Sequence, residues 1–187
     1  MPTCFVAVTV PPGVGGSLHE RARAMVGPEV RLVPPDRTHL TLVYYGEVAP
    51  AAVGPLGASI AAVAADCPPL RLAPGSAGRF RDGTVLWFGL TGDTVRLARL
   101  RDDLVLATAG FGAATAAGDG APFVPHLTVA RLRRRAAGPG AAFAGATVAW
   151  GASDRFTADR LTLYRSAGGR YEVLDELPLA GEPSSGG

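Results

Sequence analysis

Lysine is absent from this 187-residue chain: all 18 basic residues are arginine, set against 16 acidic ones for a formal net charge of +2. So small an excess gives no argument, by charge alone, for a nucleic-acid partner. Alongside abundant Ala, Gly and Pro, the missing lysine reads first as a G+C-rich coding bias. A functional reading, that arginine forks suit phosphate, comes second. Cysteine is almost as scarce. Cys4 and Cys67 fit no metal-ligand or redox spacing, so reduced, partly buried thiols are expected. No apolar run approaches the roughly 20 residues that span a bilayer. The segment Met1 to Val10 has no basic stretch ahead of its apolar residues. It reads as a first β-strand rather than a signal peptide, which makes a cytoplasmic protein the expectation. Hydrophobic residues make up 48% of the chain, enough for one well-cored domain or two tightly joined lobes.

Punctuation and periodicity divide the chain into short elements. A buried strand over 3–10 is closed by Pro11-Pro12-Gly13. A helix over about 14–26 carries Val14, Leu18, Ala22 and Met25 on one stripe, with His19 off it and solvated. Pro34 to Arg37 leads stiffly into an alternating strand over 38–45, with His39, Thr41, Val43 and Tyr45 on one face. A second helix covers about 51–65 and ends at Pro68-Pro69. Asp82-Gly83 marks a hairpin between Arg79–Arg81 and Thr84–Leu90. Asp93 or Thr94 caps a third helix whose inner face holds Leu97, Leu100 and Leu104. After the Gly118-Asp119-Gly120 loop come a strand over about 123–131, a flexible Ala136 to Gly140, and two strands at Arg160–Arg165 and Tyr171–Leu177. Residues 181–187 form a polar, disordered tail. Few helices and frequent hairpins predict an α+β fold with mainly antiparallel sheets, residues 1–180 making one bilobal unit.

Histidine is the third scarce residue, and two of the three stand in copies of one string: His39-Leu40-Thr41-Leu42 and His126-Leu127-Thr128-Val129. On a strand, His39 and Thr41 share a face, as do His126 and Thr128, with Cα atoms ~6.6 Å apart within each pair. An imidazole and a hydroxyl so spaced reach one small anion. If the two pairs meet, one neutral and one protonated histidine supply the base and the acid that opening of a cyclic phosphodiester requires. The threonine hydroxyls would hold the non-bridging oxygens without adding charge. Neither string contains Cys, Asp or Glu, so a zinc site is not expected. Arg131 would reach the same anion only across a strand end or a bulge. Arg133-Arg134-Arg135 reads as a solvated loop. Among Tyr44, Tyr45, Trp87 and Phe123, Tyr45 shares the motif face and is the leading candidate to stack on a base.

These residues resemble the 2H phosphoesterase superfamily, and within it the bacterial and archaeal RNA 2′,3′-cyclic phosphodiesterases (LigT-like, or 2′-5′ RNA ligase family). The resemblance rests on Pro35 to Leu42, Gly46-Glu47-Val48, Pro125 to Arg131, Leu163-Tyr164-Arg165-Ser166 and Tyr171-Glu172-Val173-Leu174. It implies a bilobal α+β fold with the site in the groove between lobes. It implies metal-independent hydrolysis of RNA 2′,3′-cyclic phosphate ends to 2′-phosphomonoesters, with no cofactor, and in some members 2′-5′ joining of RNA. By position, His39 would donate the proton to the leaving oxygen, His126 would take one from water, and Thr41 and Thr128 would bind phosphate. Tyr44-Tyr45 stands where Phe-Leu-like residues are expected. A monomer is the default. A nucleotide-binding module without turnover, or an enzyme of small cyclic nucleotides, are the alternatives.

Overall fold

The computed structural model describes residues 3–80, 84–112, 123–132, 143–168 and 170–181. Two four-stranded antiparallel sheets carry the molecule. The first contains β1 (Thr3–Thr9), β2 (His39–Glu47), β7 (Arg160–Ala167) and β8 (Arg170–Pro178), in the order β2-β1-β7-β8. The second contains β3 (Leu70–Phe80), β4 (Val85–Gly92), β5 (His126–Arg131) and β6 (Phe156–Ala158), in the order β5-β4-β3-β6. Among the described residues three α-helices flank them: α1 (Pro12–Val26), α2 (Val53–Ala65) and α3 (Thr94–Ala107). The α+β class read from the sequence is the class observed.

The chain builds the same unit twice. In β1–α1–β2 and in β4–α3–β5, a strand, a helix and an antiparallel neighbouring strand follow one another, and the second strand carries the His-Leu-Thr string. Both motif strands therefore lie at sheet edges, and those two edges pack against each other. The helices interlock the halves. Helix α1 packs on β5 of the second sheet, while α3 touches both β2 and β3. One apolar cluster runs through both sheets, with Leu18, Leu40, Ile60, Leu72, Phe88, Leu104, Leu127 and Leu163 all closed to solvent.

Local rules explain most boundaries. Pro11 and Pro12 do not stop the first strand's successor but start it: Pro11 caps α1 and Pro12 is its first residue, where the missing N–H costs nothing. Asp93 precedes α3, yet its carboxylate accepts the Arg71 backbone N–H at 2.9 Å instead of capping the helix. His19 is half-buried, and its Nδ1–H reaches the Val33 carbonyl at 3.3 Å, so it is not a solvated surface residue. Cys4 and Cys67 are buried thiols. At the C-terminal end, Ala180 and Gly181 donate their N–H groups to Ala64 and Cys67 carbonyls. Gly181, assigned to the tail by composition, is thus tied to the end of α2, and 182–187 lie outside the described residues. The same holds for the Asp82-Gly83 turn, the Gly118-Asp119-Gly120 loop, Arg133–Arg135 and Ala136–Gly140.

Candidate active site

The two motifs are brought together by the segment that precedes the first. Leu32 bridges Ala130, and the Val33 N–H donates to the Val129 carbonyl at 2.7 Å, so this stretch extends the second sheet along β5. It then turns through the 3-10 turn Pro35–Arg37, set by the Arg37 N–H on the Pro34 carbonyl at 3.0 Å, directly into β2. Helix α1 presses on this turn through Gly15, where a Cβ would stand 2.5 Å from the Pro35 carbonyl oxygen.

Each motif imidazole is held in the same way. His39 Nδ1 lies 2.9 Å from the Arg37 carbonyl, and His126 Nδ1 lies 2.8 Å from the Val124 carbonyl. A carbonyl only accepts, so Nδ1 carries the proton in both rings. The neutral ring then presents a bare Nε2, the nitrogen that takes up a proton. Aromatic side chains fix both planes. Phe5 and Tyr171 sit with their ring centroids 5.1 Å from His39, Tyr171 edge-on at 89°. Phe80 meets His126 edge-on at 4.8 Å, and Trp87 lies at 6.0 Å. Tyr164, also beside His39 at 6.1 Å, is anchored by its hydroxyl 2.9 Å from Thr9 Oγ1. Trp87 lies across Gly78, its neighbour in register, and any side chain at Gly78 would collide with the indole.

Burial is the largest influence on both rings and pushes each imidazole below its ordinary pKa. The Arg37 and Val124 carbonyls pull the other way. The Arg131 charge lowers both, and a proton on His126 further lowers His39. Both rings are therefore neutral near pH 7 in the free protein. An anion arriving between them supplies the opposite charge that favours protonation of one.

The threonines take the places alternation assigns. Thr41 and Thr128 are half-buried on the faces of His39 and His126, and no partner among the described residues holds either hydroxyl. Beyond them the alternation breaks, identically in both strands. Val6 pairs with Val43 but Ala7 with Thr41, leaving Leu42 as an extra residue. Leu86 pairs with Ala130 but Trp87 with Thr128, leaving Val129 extra. Each bulge moves the fifth residue after the histidine onto the motif face. In β5 that residue is Arg131, exposed and electrostatically felt by both imidazoles. In β2 it is Tyr44, 44% exposed and in register with Phe5. Tyr45, expected on the motif face, is instead fully buried: the bulge turns it into the core. Burial pushes its phenol up to about 12, partly offset by the Thr108 hydroxyl. Phe123 packs beneath the Arg101 guanidinium, 5.4 Å from its ring centroid.

Sequence reasoning gave no role to Phe5, Phe80, Tyr164 or Tyr171. Their signal was positional: Phe5 and Phe80 stand on strands that flank or neighbour the motif strands. Arg37 also joins the site, its guanidinium 4.9 Å above the Tyr171 ring. A hollow of about 410 Å³ beside His39 is lined by Arg37, Tyr164, Arg170 and Tyr171 among others. Among the described residues, no three His, Cys, Asp or Glu side chains gather as a metal site, and no helix is long and apolar enough to cross a membrane.

The sequence profile of the 2′-5′ RNA ligase superfamily matches residues 11–170. The chain is 33% identical over 151 residues to an RNA 2′,3′-cyclic phosphodiesterase of Geobacillus stearothermophilus, a match covering 78% of this chain and 46% of that protein. The chain thus spans about half the length of that curated relative. Its fold superposes on TT0787 of Thermus thermophilus with a TM-score of 0.77 at 27% identity, covering 97% of this chain and 100% of that one. It superposes on E. coli LigT complexed with 3′-AMP with a TM-score of 0.73 at 25% identity, covering 96% and 99%.

Proposed function

Because the chain belongs to the 2′-5′ RNA ligase superfamily, we propose that it hydrolyses RNA ends bearing a 2′,3′-cyclic phosphate to 2′-phosphomonoesters, by acid–base catalysis from two histidines. The observation that carries this reading is the matched pair of imidazoles, each with Nδ1 committed to a carbonyl and Nε2 left for the ligand. The relative from Geobacillus and the 3′-AMP complex of LigT support the substrate class.

The cyclic phosphate lies between Thr41 and Thr128, whose hydroxyls donate to its non-bridging oxygens, with Arg131 balancing their charge. Water attacks phosphorus in line with the 3′ oxygen. His126 Nε2 takes the water proton as the P–O bond forms. His39, protonated once the anion is bound, gives its Nε2 proton to O3′ as the P–O3′ bond breaks. The 2′-phosphate remains. A 5′-hydroxyl of a second RNA in place of water would lose its proton to His126 in the same manner and leave a 2′-5′ linkage. No metal or cofactor takes part in either step. The enzyme acts as a cytoplasmic monomer in this reading.

The decisive experiment follows a cyclic-phosphate RNA end in the presence of a chelator, with 2′ and 3′ monoesters resolved. The expected product is the 2′ ester alone. His39→Ala and His126→Ala should each lower kcat by about 10²–10⁴-fold with the circular dichroism spectrum unchanged. Binding of a 2′-phosphonucleotide with no turnover of any cyclic phosphate would leave a binding module instead.

A further inference from the structure

The motif face of the second sheet does not end at His126. Gly89 stands opposite His126 in register. Thr91, two residues on along β4, shares its face and is paired with Ala73 of β3. Arg71, two residues from Ala73, again shares the face and is paired with Thr157 of β6. The opposite face bears out the alternation, since Leu70, Leu72, Phe156 and Ala158 are buried in the core. A diagonal lane thus leaves the catalytic groove over a floor of Gly89 and Ala73 and reaches a hollow of about 480 Å³ lined by Arg71, Thr91, Arg155 and Thr157. Strand geometry puts the Arg71 Cα roughly 10 Å across and 13 Å along the sheet from His126.

Both arginines are exposed. Arg21, Arg96, Arg101, Arg160 and Arg165 each lie within ion-pair distance of a carboxylate, whereas Arg71 and Arg155 have no such partner among the described residues. The nearby Asp93 carboxylate is engaged by the Arg71 backbone N–H and by Arg96 at 3.9 Å. The Thr91 hydroxyl lies 3.3 Å from the Ala73 carbonyl.

We propose that this lane carries the RNA strand upstream of the cyclic end, with backbone phosphates meeting Arg71 and Arg155. The inference rests on the reading of the groove given above. Only the 5′ side of the chain continues away from a 2′,3′-cyclic terminus, so the occupant is one strand of fixed polarity. It needs cations along its path and a floor free of bulky side chains; Arg71 and Arg155 supply the first, Gly89 and Ala73 the second. A mononucleotide at the histidines does not reach the arginines. The lane therefore makes the protein an enzyme of oligonucleotide ends.

The test compares wild type with Arg71→Ala/Arg155→Ala in two assays. The first is kcat/KM on a nucleoside 2′,3′-cyclic phosphate and on an oligoribonucleotide ending in the same group. The second is binding of a fluorescent 2′-phosphate-ended oligoribonucleotide across a salt series. The double variant should bind the oligonucleotide about tenfold more weakly, with the slope of log affinity on log salt reduced by about 0.7 per lost phosphate contact. Its mononucleotide turnover should be unchanged, and Arg71→Lys/Arg155→Lys should restore most of the binding. Equal losses on both substrates, or an unaltered salt slope, would overturn the lane. Arginine-dependent oligonucleotide binding without turnover of either substrate would keep the lane and sink the hydrolytic reading. Turnover indifferent to both arginines would do the reverse.

Discussion

Arg131 owes its place to a single extra residue. Strict alternation from His126 puts its guanidinium on the wrong side of β5, and the bulge at Val129 returns it. Because its positive charge depresses both imidazoles, Arg131→Leu should raise both pKa values. The bell in kcat/KM, which reports the free protein, then moves to higher pH, while its height falls by about 10²-fold from the lost phosphate contact. A pH profile measured from 4.5 to 9 (~ten points) checks this; a lower bell at the same position would confine Arg131 to ligand binding. The same kind of bulge decides the tyrosines. Period-two counting was enough to put His39 with Thr41 and His126 with Thr128 on shared faces, and the strands keep them there. It did not show the bulges, because the extra residues Leu42 and Val129 are ordinary strand formers whose irregular pairing is set by the partner strand.

The elements themselves were largely legible. Leu97, Leu100 and Leu104 are buried along α3 as their spacing demands, and β3 and β4 pair as the hairpin expected between them. What was not legible is how elements press on one another at close range. Gly15 lies inside α1, where alanine would ordinarily add about 1 kcal/mol of stability. Here its α-carbon faces the Pro35 carbonyl, and backbone cannot yield as a side chain can. Overpacking costs about 1–3 kcal/mol, so Gly15→Ala should be destabilising by about 1 kcal/mol net. The urea midpoint reads that loss. Turnover should drop as well, because the displaced turn carries the Arg37 carbonyl that aims His39. A stabilised, fully active Gly15→Ala protein would show that the turn adapts freely.

At the scale of the molecule, the two half-buried imidazoles make stability depend on pH. Both fold with pKa values below the ordinary 6.5 or so, so the unfolded chain binds more protons in that window. Their contribution is complete above about pH 6.5 and is lost as pH falls through the folded values. Denaturant midpoints should therefore decline between pH 7.5 and 5, and the decline should flatten in His39→Gln/His126→Gln. Asp154 acts lower. Burial alone would push its carboxyl up, but the Gly151 N–H, the Ser17 hydroxyl and Arg21 hold it below the usual carboxylate range, and its share is lost only in more acid solution. The repeated strand–helix–strand unit was foreshadowed by the doubled string; the exchange of helices between halves was not, since it depends on which apolar stripes meet. That doubling leaves one asymmetry at the fifth place after each histidine, a phenol on one strand and a guanidinium on the other. A fixed positive charge thus stands on the β5 side and a neutral hydroxyl on the β2 side, so the two strands offer unequal company to any anion that comes to rest beside them.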